Sequence, residues 1–449
     1  MLPDHLKDHV RLATRRFLAA EEEKELLPAV IDKIFVEDVM ETIEFDNFTA
    51  VTNAFLLSVH RRINLPALTR LSLVNNRKLN NPTIALFLKG CVNLEYLNLK
   101  GCVNLKNGAF PEKVVKQIAK LQYLNVSFTQ ISGKAIALIY EHCKNLATLK
   151  LAGCKFSDGM TITKIFPHPS EKLTNLKLRH CVVNQSQLQY ILTTFPDLET
   201  FDYSSSNLRS LRPFYLIEHP SKLRKLNLSN CPSLDLTKPT ELHRVLQKHK
   251  SLEHIYLTQA RISLKFVMPD EAVANFKTLF LPKLATATEF LPVILSKATN
   301  LVYLDLSHSS LHFCQDDYLE PLVVNVPNLR TLSLEDTDVG DRSADLISQI
   351  HTLHSLFLRG TAISVTGVRE IVYGCPWLEE LDVTSCRAIE IRERRTILPT
   401  LRQQFWKLLG EARNNEKVLD SEDGHWYKLE QFQSGDEERE GLVKMPYVD

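Results

Sequence analysis

The sequence predicts an α/β solenoid, a right-handed horseshoe of about thirteen stacked strand-and-helix repeats with a helical N-terminal cap. Three observations predict it: a leucine pattern at a nearly constant interval, cysteines that follow the same interval, and a composition able to fill a continuous core. Of the 449 residues, 44% are hydrophobic and 24% are charged, as in ordinary folded proteins. One such repeat cannot bury its own leucines, so each must stack on its neighbours.

The leucine pattern reads Leu-x-x-Leu-x-Leu-x-x-(Asn/Cys/Thr), and its nine positions are numbered one to nine below. Successive copies start 24 to 29 residues apart, the interval of leucine-rich repeats. Because residues two apart on a strand share a face, positions four and six should point into the core. Positions three, five, seven and eight should point outward. The thirteen copies start at Leu68, Leu94, Leu121, Leu146, Leu173, Leu198, Leu223, Leu252, Phe276, Leu301, Leu329, Leu353 and Leu378.

Amphipathic segments follow the turn of each repeat. Residues Gly133 to Tyr140 and Val368 to Val372 have the apolar spacing of a helix. We expect such segments to return the chain on the side opposite the strands. The repeats should together form one domain over residues 63–390.

The cysteines test this register. Cys102, Cys154, Cys181, Cys231 and Cys386 occupy position nine, and Cys91, Cys143 and Cys375 each lie three residues before a first leucine. Stacking would bring Cys154 near Cys181 at about 5 Å, one strand spacing, which raises the question of a metal site. The sequence has no paired CxxC ligands there, so we interpret the thiols as buried structural groups and expect no metal and no cofactor. Cys314 alone is out of register.

Two segments carry a resemblance to a known family. Gly90-Cys-Val-Asn-Leu-Glu-Tyr-Leu-Asn-Leu-Lys-Gly-Cys102 and Gly374-Cys-Pro-Trp-Leu-Glu-Glu-Leu-Asp-Val-Thr-Ser-Cys386 resemble the cysteine-containing subfamily of leucine-rich repeats. The resemblance covers about residues 65–390. That subfamily is typical of F-box/LRR proteins, so the resemblance implies a substrate-recognition subunit of a cullin-RING (SCF-like) ubiquitin ligase complex. The alternative is an LRR scaffold or signalling adaptor without a ubiquitin connection.

Residues 1–62 should form a helical cap, an adaptor-binding box, or one element that serves as both. Apolar residues recur there at helical spacing, and a solenoid needs its first repeat shielded. Leu27-Pro28-Ala-Val-Ile31-Asp-Lys-Ile34-Phe35 resembles the opening of an F-box, and Leu2-Pro3-Asp-His-Leu6-Lys7 resembles the LPxxLK element of SOCS-box modules. By resemblance, either element would bind a cullin adaptor.

The C-terminal part divides into a capping helix and a tail. Within residues 391–412, Leu401, Phe405 and Leu408 have helical spacing and should close the last repeat. Residues 413–449 contain five basic and ten acidic residues, which predicts an acidic, mobile and partly disordered tail. The apolar island from Trp426 to Phe432 should dock on the solenoid in preference to a partner.

The outward strand positions predict a protein-binding concave face, since exposed rings beside separated charges suit recognition. Its basic half could alternatively receive an acidic or phosphorylated segment. The early repeats offer Arg70, Tyr96, Lys100, Tyr123, Phe128, Lys150, Lys177, Arg179 and Lys225. The later repeats offer Tyr256, Phe280, Tyr303, Asp305, Glu335, Asp336, Phe357, Glu380 and Asp382.

Other classes of function find little support. A net charge of +1 argues against general affinity for nucleic acid or membranes. The start of the chain has no signal-peptide core, so we expect an intracellular protein of the cytoplasm or nucleus. No phosphate-loop, dinucleotide, zinc-protease or serine-hydrolase motif occurs. His180 and His308 should be surface histidines on outward strand positions, so we expect no enzyme.

Overall fold

A computed structural model describes residues 41–48, 51–61, 63–155, 160–236, 239–258, 261–262, 269–281, 291–309, 319–412, 418–419, 426–434 and 437–444. The two adaptor-box resemblances and Cys314 lie outside these residues. The chain divides into two compact units. Unit 1 comprises Met1–Leu208 and Arg212–Leu223, and unit 2 comprises Arg209–Leu211 and Arg224–Asp449.

Unit 1 contains a row of short parallel strands, each paired with the next along the chain. The pairing is in register, so that Leu71 of one repeat lies beside Leu97 of the next, and Leu97 beside Leu124. All three leucines are buried. The strands are β1 (Thr42–Glu44), β2 (Arg70–Ser72), β3 (Tyr96–Asn98), β4 (Tyr123–Asn125), β5 (Thr148–Lys150), β6 (Asn175–Lys177) and β7 (Thr200–Asp202).

Unit 2 repeats this arrangement with a second row of parallel strands. Leu304 lies beside Leu332, and Leu332 beside Leu356, again in register and buried. The strands of the row are β8 (Lys225–Asn227), β10 (His254–Tyr256), β12 (Thr278–Phe280), β13 (Tyr303–Asp305), β14 (Thr331–Ser333), β15 (Ser355–Phe357) and β16 (Glu380–Asp382). Two further strands, β9 (Asp235–Leu236) and β11 (Arg261–Ile262), form a separate parallel pair.

A helix follows most strands and packs on the helix of the next repeat. In unit 1 the helices are Asn53–His60, Asn81–Leu88, Glu112–Gln117, Gly133–His142, Ile162–Ile165, Gln185–Thr194 and Arg212–Tyr215, with 3₁₀ turns at Leu65–Ala67 and Asn107–Ala109. In unit 2 they are Pro239–Lys248, Asp270–Asn275, Leu291–Leu295, Glu320–Asn325, Asp341–Ser348, Val365–Gly374 and Ile397–Ala412. This alternation of parallel strand and helix is an α/β leucine-rich-repeat solenoid, so the predicted fold class is confirmed.

One strand precedes the first repeat that the sequence predicts. Only helices are predicted before Leu68, but β1 pairs in register with β2, and the helix Asn53–His60 follows it. Ile43, Phe45 and Phe48 take positions four, six and nine of this additional repeat. The leucine pattern does not detect it because apolar residues of other types replace leucine, and phenylalanine replaces the usual Asn or Cys.

At position nine, a Cys or Asn side chain can join the turn to the preceding repeat. Cys102 Sγ donates to the carbonyl oxygen of Leu73 over 3.0 Å, and Cys386 Sγ to that of Leu358 over 3.0 Å. In both cases the acceptor is position six of the repeat before. Asn76 makes the equivalent bond to Phe45 through Nδ2 over 2.6 Å. Asn and Cys are therefore interchangeable at position nine because each supplies a short donor.

The eight cysteines that the structure describes are all buried, which confirms their interpretation as structural thiols. Burial raises the pKa of Cys102 and of Cys181 to about 12. Cys181 Sγ donates to the carbonyl of Leu151 over 3.1 Å. At neutral pH the Cys102 and Cys181 thiols are therefore protonated, small and apolar, as a repeat interior requires.

The C-terminal part departs from the predicted mobile tail. The helix Ile397–Ala412 buries Leu401, Phe405 and Leu408. Beyond it, β17 (Val418–Leu419), β18 (Trp426–Ser434) and β19 (Glu437–Lys444) form an antiparallel sheet.

The apolar island of the tail lies within this sheet. Phe432 is 9% exposed, and its ring centroid lies 3.9 Å from that of His351. Strand β19 contacts the helix Val365–Gly374. An isolated β-hairpin is only marginally stable, and packing on helices stabilises it. An acidic composition does not show whether such packing occurs.

Candidate partner-binding faces of the two units

The unit 1 strand face is defined as the side chains at positions three, five, seven and eight of the repeats that contain β1 to β7. Arg70, Tyr96 and Tyr123 stand at position three, Lys150 and Lys177 at position five, Lys100 and Arg179 at position seven, and Phe128 at position eight. Lys100, Phe128 and Arg179 are exposed, and the other five are half-buried. All eight residues thus belong to one row of neighbouring repeats.

A ladder of side chains crosses five strands of this face. The Tyr96 and Tyr123 rings stack with centroids 4.0 Å apart and planes 12° apart. The Arg70 guanidinium lies 3.4 Å over the Tyr96 ring and donates from Nε to Glu44 over 2.8 Å. At the other end, Lys150 Nζ donates to the Tyr123 hydroxyl over 2.8 Å. The rings are therefore held rigidly between two cations.

Burial also affects the ionisable groups of this ladder. It lowers the pKa of the Lys150 amine and raises the pKa of the Tyr96 hydroxyl. Both shifts disfavour the charged form, as expected for groups that have lost part of their hydration. Lys150 is consequently a half-buried member of the ladder and not a freely solvated charge.

Position eight is a turn position in the structure. In the described repeats its residue has a left-handed backbone, with φ of +58° at Phe128, His180 and His308. The prediction that His180 and His308 lie on the strands is therefore wrong, because the strand ends at position five. The strand pattern could not show this, since only three residues per repeat are extended.

The side chain at position eight folds over the next turn. A Cβ on Gly153 would lie 2.7 Å from Cδ1 of Phe128, so the Phe128 ring needs a glycine beside it. Gly101 similarly admits the Asn75 side chain, and Gly360 admits Asp336. Each of these three residues at position eight is thus matched by a glycine in the next repeat.

The central part of the unit 1 strand face is cationic. The repeats of β2 to β6 carry Arg70, Lys100, Lys150, Lys177 and Arg179 at outward positions and no carboxylate there. Carboxylates flank this stretch in the adjoining repeats, where Glu44 and Asp46 precede it and Asp202 follows. The arrangement favours a ligand with negative charge.

The unit 2 strand face, defined by the same positions in the repeats of β8, β10 and β12 to β16, has its own aromatic ladder. Lys225 Nζ lies 5.0 Å over the Tyr256 ring. The Tyr256 and Phe280 centroids are 5.7 Å apart, and those of Phe280 and Tyr303 are 6.1 Å apart. Burial, with the nearby Asp305 carboxylate, raises the pKa of Tyr303 to about 12.

Carboxylates follow this second ladder. Burial raises the pKa of both Asp305 and Glu335, and Asp382 adds to the effect on Glu335. His308 Nδ1 lies 3.1 Å from Asp336 Oδ2 in the adjoining turns. Glu380 is exposed, and Phe357 is half-buried in register with Asp382. Asp305, Glu380 and Asp382 therefore lie on strands of this row, whereas Glu335 and Asp336 lie in the turn after β14.

Two of these carboxylates also have a structural role. Asp305 Oδ1 accepts from the backbone N–H of Ser307 over 2.8 Å, and Asp382 Oδ1 from that of Thr384 over 2.8 Å. Asn125 accepts the same bond from Ser127 in unit 1. An Asn or Asp at position five therefore closes the turn after the strand.

Unit 2 has an ion network at position two that the leucine pattern does not predict. Glu253 Oε1 lies 2.6 Å from Arg224 Nη2, and Glu253 Oε2 lies 3.0 Å from Lys277 Nζ. These residues stand on the repeats of β8, β10 and β12. The sequence signal for this network is the alternation of positive and negative residues at position two of successive repeats.

Two other kinds of site were searched for within the described ranges. They contain no cluster of three or more His, Cys, Asp or Glu residues arranged to hold a metal ion. None of their helices combines the length and apolarity needed to cross a lipid bilayer.

Comparison of the sequence with protein-family models and with curated proteins gives no match. Solved structures do resemble this chain. A leucine-rich-repeat protein of Leptospira interrogans matches at 20% identity and a TM-score of 0.42, covering 76% of this chain and 84% of its own. An internalin of Listeria monocytogenes matches at 15% identity and 0.39, covering 82% and 93%.

Yeast Rad7, whose structure was determined in complex with Elc1, matches at 15% identity and a TM-score of 0.46. The match covers 74% of this chain and 89% of Rad7. At such identities the likeness concerns the repeat fold alone.

Proposed function

We propose that this chain is a protein-binding leucine-rich-repeat protein that receives its partners on the strand faces. The observation that carries the proposal is the ladder of Arg70, Tyr96, Tyr123 and Lys150. Its rings are half-exposed and already held by their neighbours. A partner that contacts them loses little side-chain entropy, which is the property of an interface anchor.

The test uses the two exposed cations of the unit 1 strand face, because Lys150 and Lys177 are half-buried. The full chain with Lys100→Glu and Arg179→Glu is compared with the unchanged chain by affinity purification and quantitative mass spectrometry. We expect partner recovery to fall about tenfold, since charge reversal disfavours a complementary partner.

The control is Lys113→Glu, an exposed cation on the helix Glu112–Gln117 and away from the strands. All three changes are at exposed positions, so unfolding free energies should stay within about 0.5 kcal/mol of the unchanged chain. An unchanged partner set in the double variant, with the fold intact, would contradict use of this face.

The finer proposal is that the chain is the substrate receptor of a cullin-RING ubiquitin ligase, inside the cytoplasm or nucleus. Its support is the resemblance of the cysteine-containing repeats to F-box/LRR proteins. Residues 1–62 would then bind the adaptor, and the strand faces would bind the substrate. A scaffold or signalling adaptor without a ubiquitin connection is the alternative.

This second proposal has a separate test. Leu27→Asp and Ile31→Asp in the full chain would disrupt the F-box-like element, and Leu2→Asp and Leu6→Asp would disrupt the SOCS-box-like element. We expect a cullin and its adaptor to co-purify with the unchanged chain and to be lost from one of these variants, with Lys33→Ala as control. If neither the cullin nor its adaptor co-purifies with the unchanged chain, a scaffold or signalling adaptor is the remaining function.

A further inference from the structure

Phe128 is the one aromatic residue of the unit 1 strand face that is both exposed and fixed in place. Its side chain is 41% exposed although it is large and apolar. The ring lies over the turn at Gly153, with the His180 ring centroid 6.3 Å away on the far side. A left-handed backbone at a residue with a Cβ costs about 1–2 kcal/mol. Phe128 therefore holds an exposed ring at a cost in stability.

Two exposed cations flank this ring along the row of repeats. Lys100 belongs to the repeat before Phe128, and Arg179 to the second repeat after it. No ion pair joins either side chain to another residue in the described part of the chain. Lys150 and Lys177 lie between them, in register on β5 and β6. Asp202, in register with Lys177 on β7, is the nearest carboxylate along the row.

The two tyrosines of the same face are poorly placed to stack on nucleic-acid bases. The Tyr96 and Tyr123 rings cover each other, and Arg70 and Lys150 approach them as well. Binding of single strands relies on free ring faces on which successive bases stack. The ring edges remain, and these suit packing against side chains of a polypeptide.

We propose that Lys100, Phe128 and Arg179 form a receiving site for an extended acidic segment of a partner protein. This inference rests on the proposed protein-binding function and names its partner chemistry. The segment carries carboxylates that reach Lys100 and Arg179, with an apolar side chain between them that rests on the Phe128 ring. Lys150 and Lys177 add a positive field along the same path.

Spacing favours several carboxylates over one phosphoryl group. Lys100 and Arg179 stand three repeats apart, which is about 14 Å at the usual strand spacing. An extended peptide that crosses the strands covers that distance in about four residues. A single phosphoryl group could not contact both cations, whereas two acidic residues about four positions apart could. The site therefore selects a pattern of charge along a segment.

The probe is a positional-scanning library of short immobilised peptides, applied to the folded full-length chain. Matching peptides in which acidic residues are replaced by Gln, Asn or phosphoserine are included, together with a single-stranded oligonucleotide. We expect enrichment of Asp and Glu at two positions about four residues apart, with an apolar residue between them. The best acidic peptide is then measured by fluorescence anisotropy.

Two variants separate binding from stability. Phe128→Gly removes the ring but keeps a residue that accepts a positive φ, so we expect weaker peptide binding, by about fivefold or more, without a lower melting temperature. Arg179→Gln should weaken it severalfold, more at low salt than at high salt. The controls are Asn230→Gly, which makes the same backbone change at position eight of a unit 2 repeat, and Lys113→Gln.

Three outcomes would overturn the inference: a library without acidic enrichment, a preference for the phosphoserine or nucleic-acid probe, and equal peptide affinity in Phe128→Gly and the unchanged chain. Failure here is distinguishable from failure of the proposed function. If partners are recovered through the strand face but the peptide library shows no acidic preference, only the inference about an acidic segment is rejected. If the Lys100→Glu and Arg179→Glu variant keeps all its partners, the proposal that the unit 1 strand face binds partners is rejected.

Discussion

The two units place aromatic ladders on their strand faces, and the two ladders end differently. In unit 1, Arg70 lies 3.4 Å from the ring at one end and Lys150 lies 4.7 Å from the ring at the other. In unit 2, Lys225 lies 5.0 Å over Tyr256, whereas the Tyr303 end is followed by Asp305 and other carboxylates. One repeat plan thus supports faces of opposite charge.

The ladder rings are closer together in unit 1 than in unit 2. Tyr96 and Tyr123 are both at position three and directly in register, with centroids 4.0 Å apart. In unit 2, Phe280 at position five is in register with Asp305, so it meets Tyr303 diagonally at 6.1 Å. Register is not sufficient for a close stack, because Tyr256 and Phe280 are both at position five and directly in register, with centroids 5.7 Å apart.

The largest expected effect concerns the buried leucine at position four, which both units share. Leu124→Ala and Leu304→Ala alter position four, where both leucines are fully buried. Each should lower the unfolding free energy by about 2–5 kcal/mol in urea denaturation. Hydrogen exchange should increase most in the repeats next to each change, because repeats contact mainly their neighbours. A uniform increase over both units would break the comparison.

Turn glycines should behave alike in the two units. Gly101→Ala and Gly360→Ala put a Cβ on residues with φ of +74° and +73°, against Asn75 and Asp336 respectively. We expect each to cost about 1–2 kcal/mol or more by thermal or urea unfolding. Gly340→Ala is the control, since its Cβ would meet only Ala362 at 4.0 Å. Equal losses at all three positions would argue against the turn rule.

The ladders should differ in coupling energy. Double-mutant cycles with Tyr96→Leu and Tyr123→Leu should give about 0.5–1.5 kcal/mol for the stacked pair. The same cycle for Phe280→Leu and Tyr303→Leu should give less, because its rings meet diagonally at a longer distance. Urea denaturation provides the measurement. A larger value in unit 2 would contradict the expected link between ring distance and coupling energy.

The smallest effect is electrostatic. Burial raises the pKa of Asp305 above its unfolded value of 3.8. The folded state therefore binds the Asp305 proton more tightly than the unfolded state does. The stability gained in this way is fully present below pH 3.8 and is lost as the pH rises through the raised pKa of the folded state. Asp305→Asn removes this loss and can still accept from Ser307, as Asn227 accepts from Ser229 over 3.0 Å.

We expect Asp305→Asn to raise stability at pH 7 by no more than about 1 kcal/mol. The difference in stability between pH 4 and pH 7 should shrink at the same time. Urea denaturation at both pH values provides the check, with Asp336→Asn on the exposed turn as the matched control. A variant that is less stable than the unchanged chain at pH 7 would show that the Asp305 charge is needed.

The core of the fold could be predicted from sequence because its signal is repeated. Thirteen copies reinforce each other, so Phe276 can replace leucine at one start without hiding the period. The additional repeat of β1 has Ile43, Phe45 and Phe48 at its diagnostic positions, and as a single divergent copy it was missed. The hairpin of β18 and β19 depends on pairing and docking, for which the chain has no repeated signal.

The candidate site could be predicted only as a set of positions. Alternation on a strand places Tyr96, Tyr123 and Lys150 outward, which the structure bears out. It does not reveal that Lys150 bonds the Tyr123 hydroxyl, or that Asp305 closes a turn. The turn conformation at Phe128 depends on how far each strand extends, which hydrophobic spacing does not encode.

The turn at position eight has a consequence for how such a chain can change over generations. Phe128 needs Gly153, Asn75 needs Gly101, and Asp336 needs Gly360, always across the boundary between two repeats. A gene duplication that copied a single repeat would separate such partners and set a side chain against a Cβ. At these boundaries, the smallest segment that can be duplicated, deleted or transplanted without damage is therefore an adjoining pair.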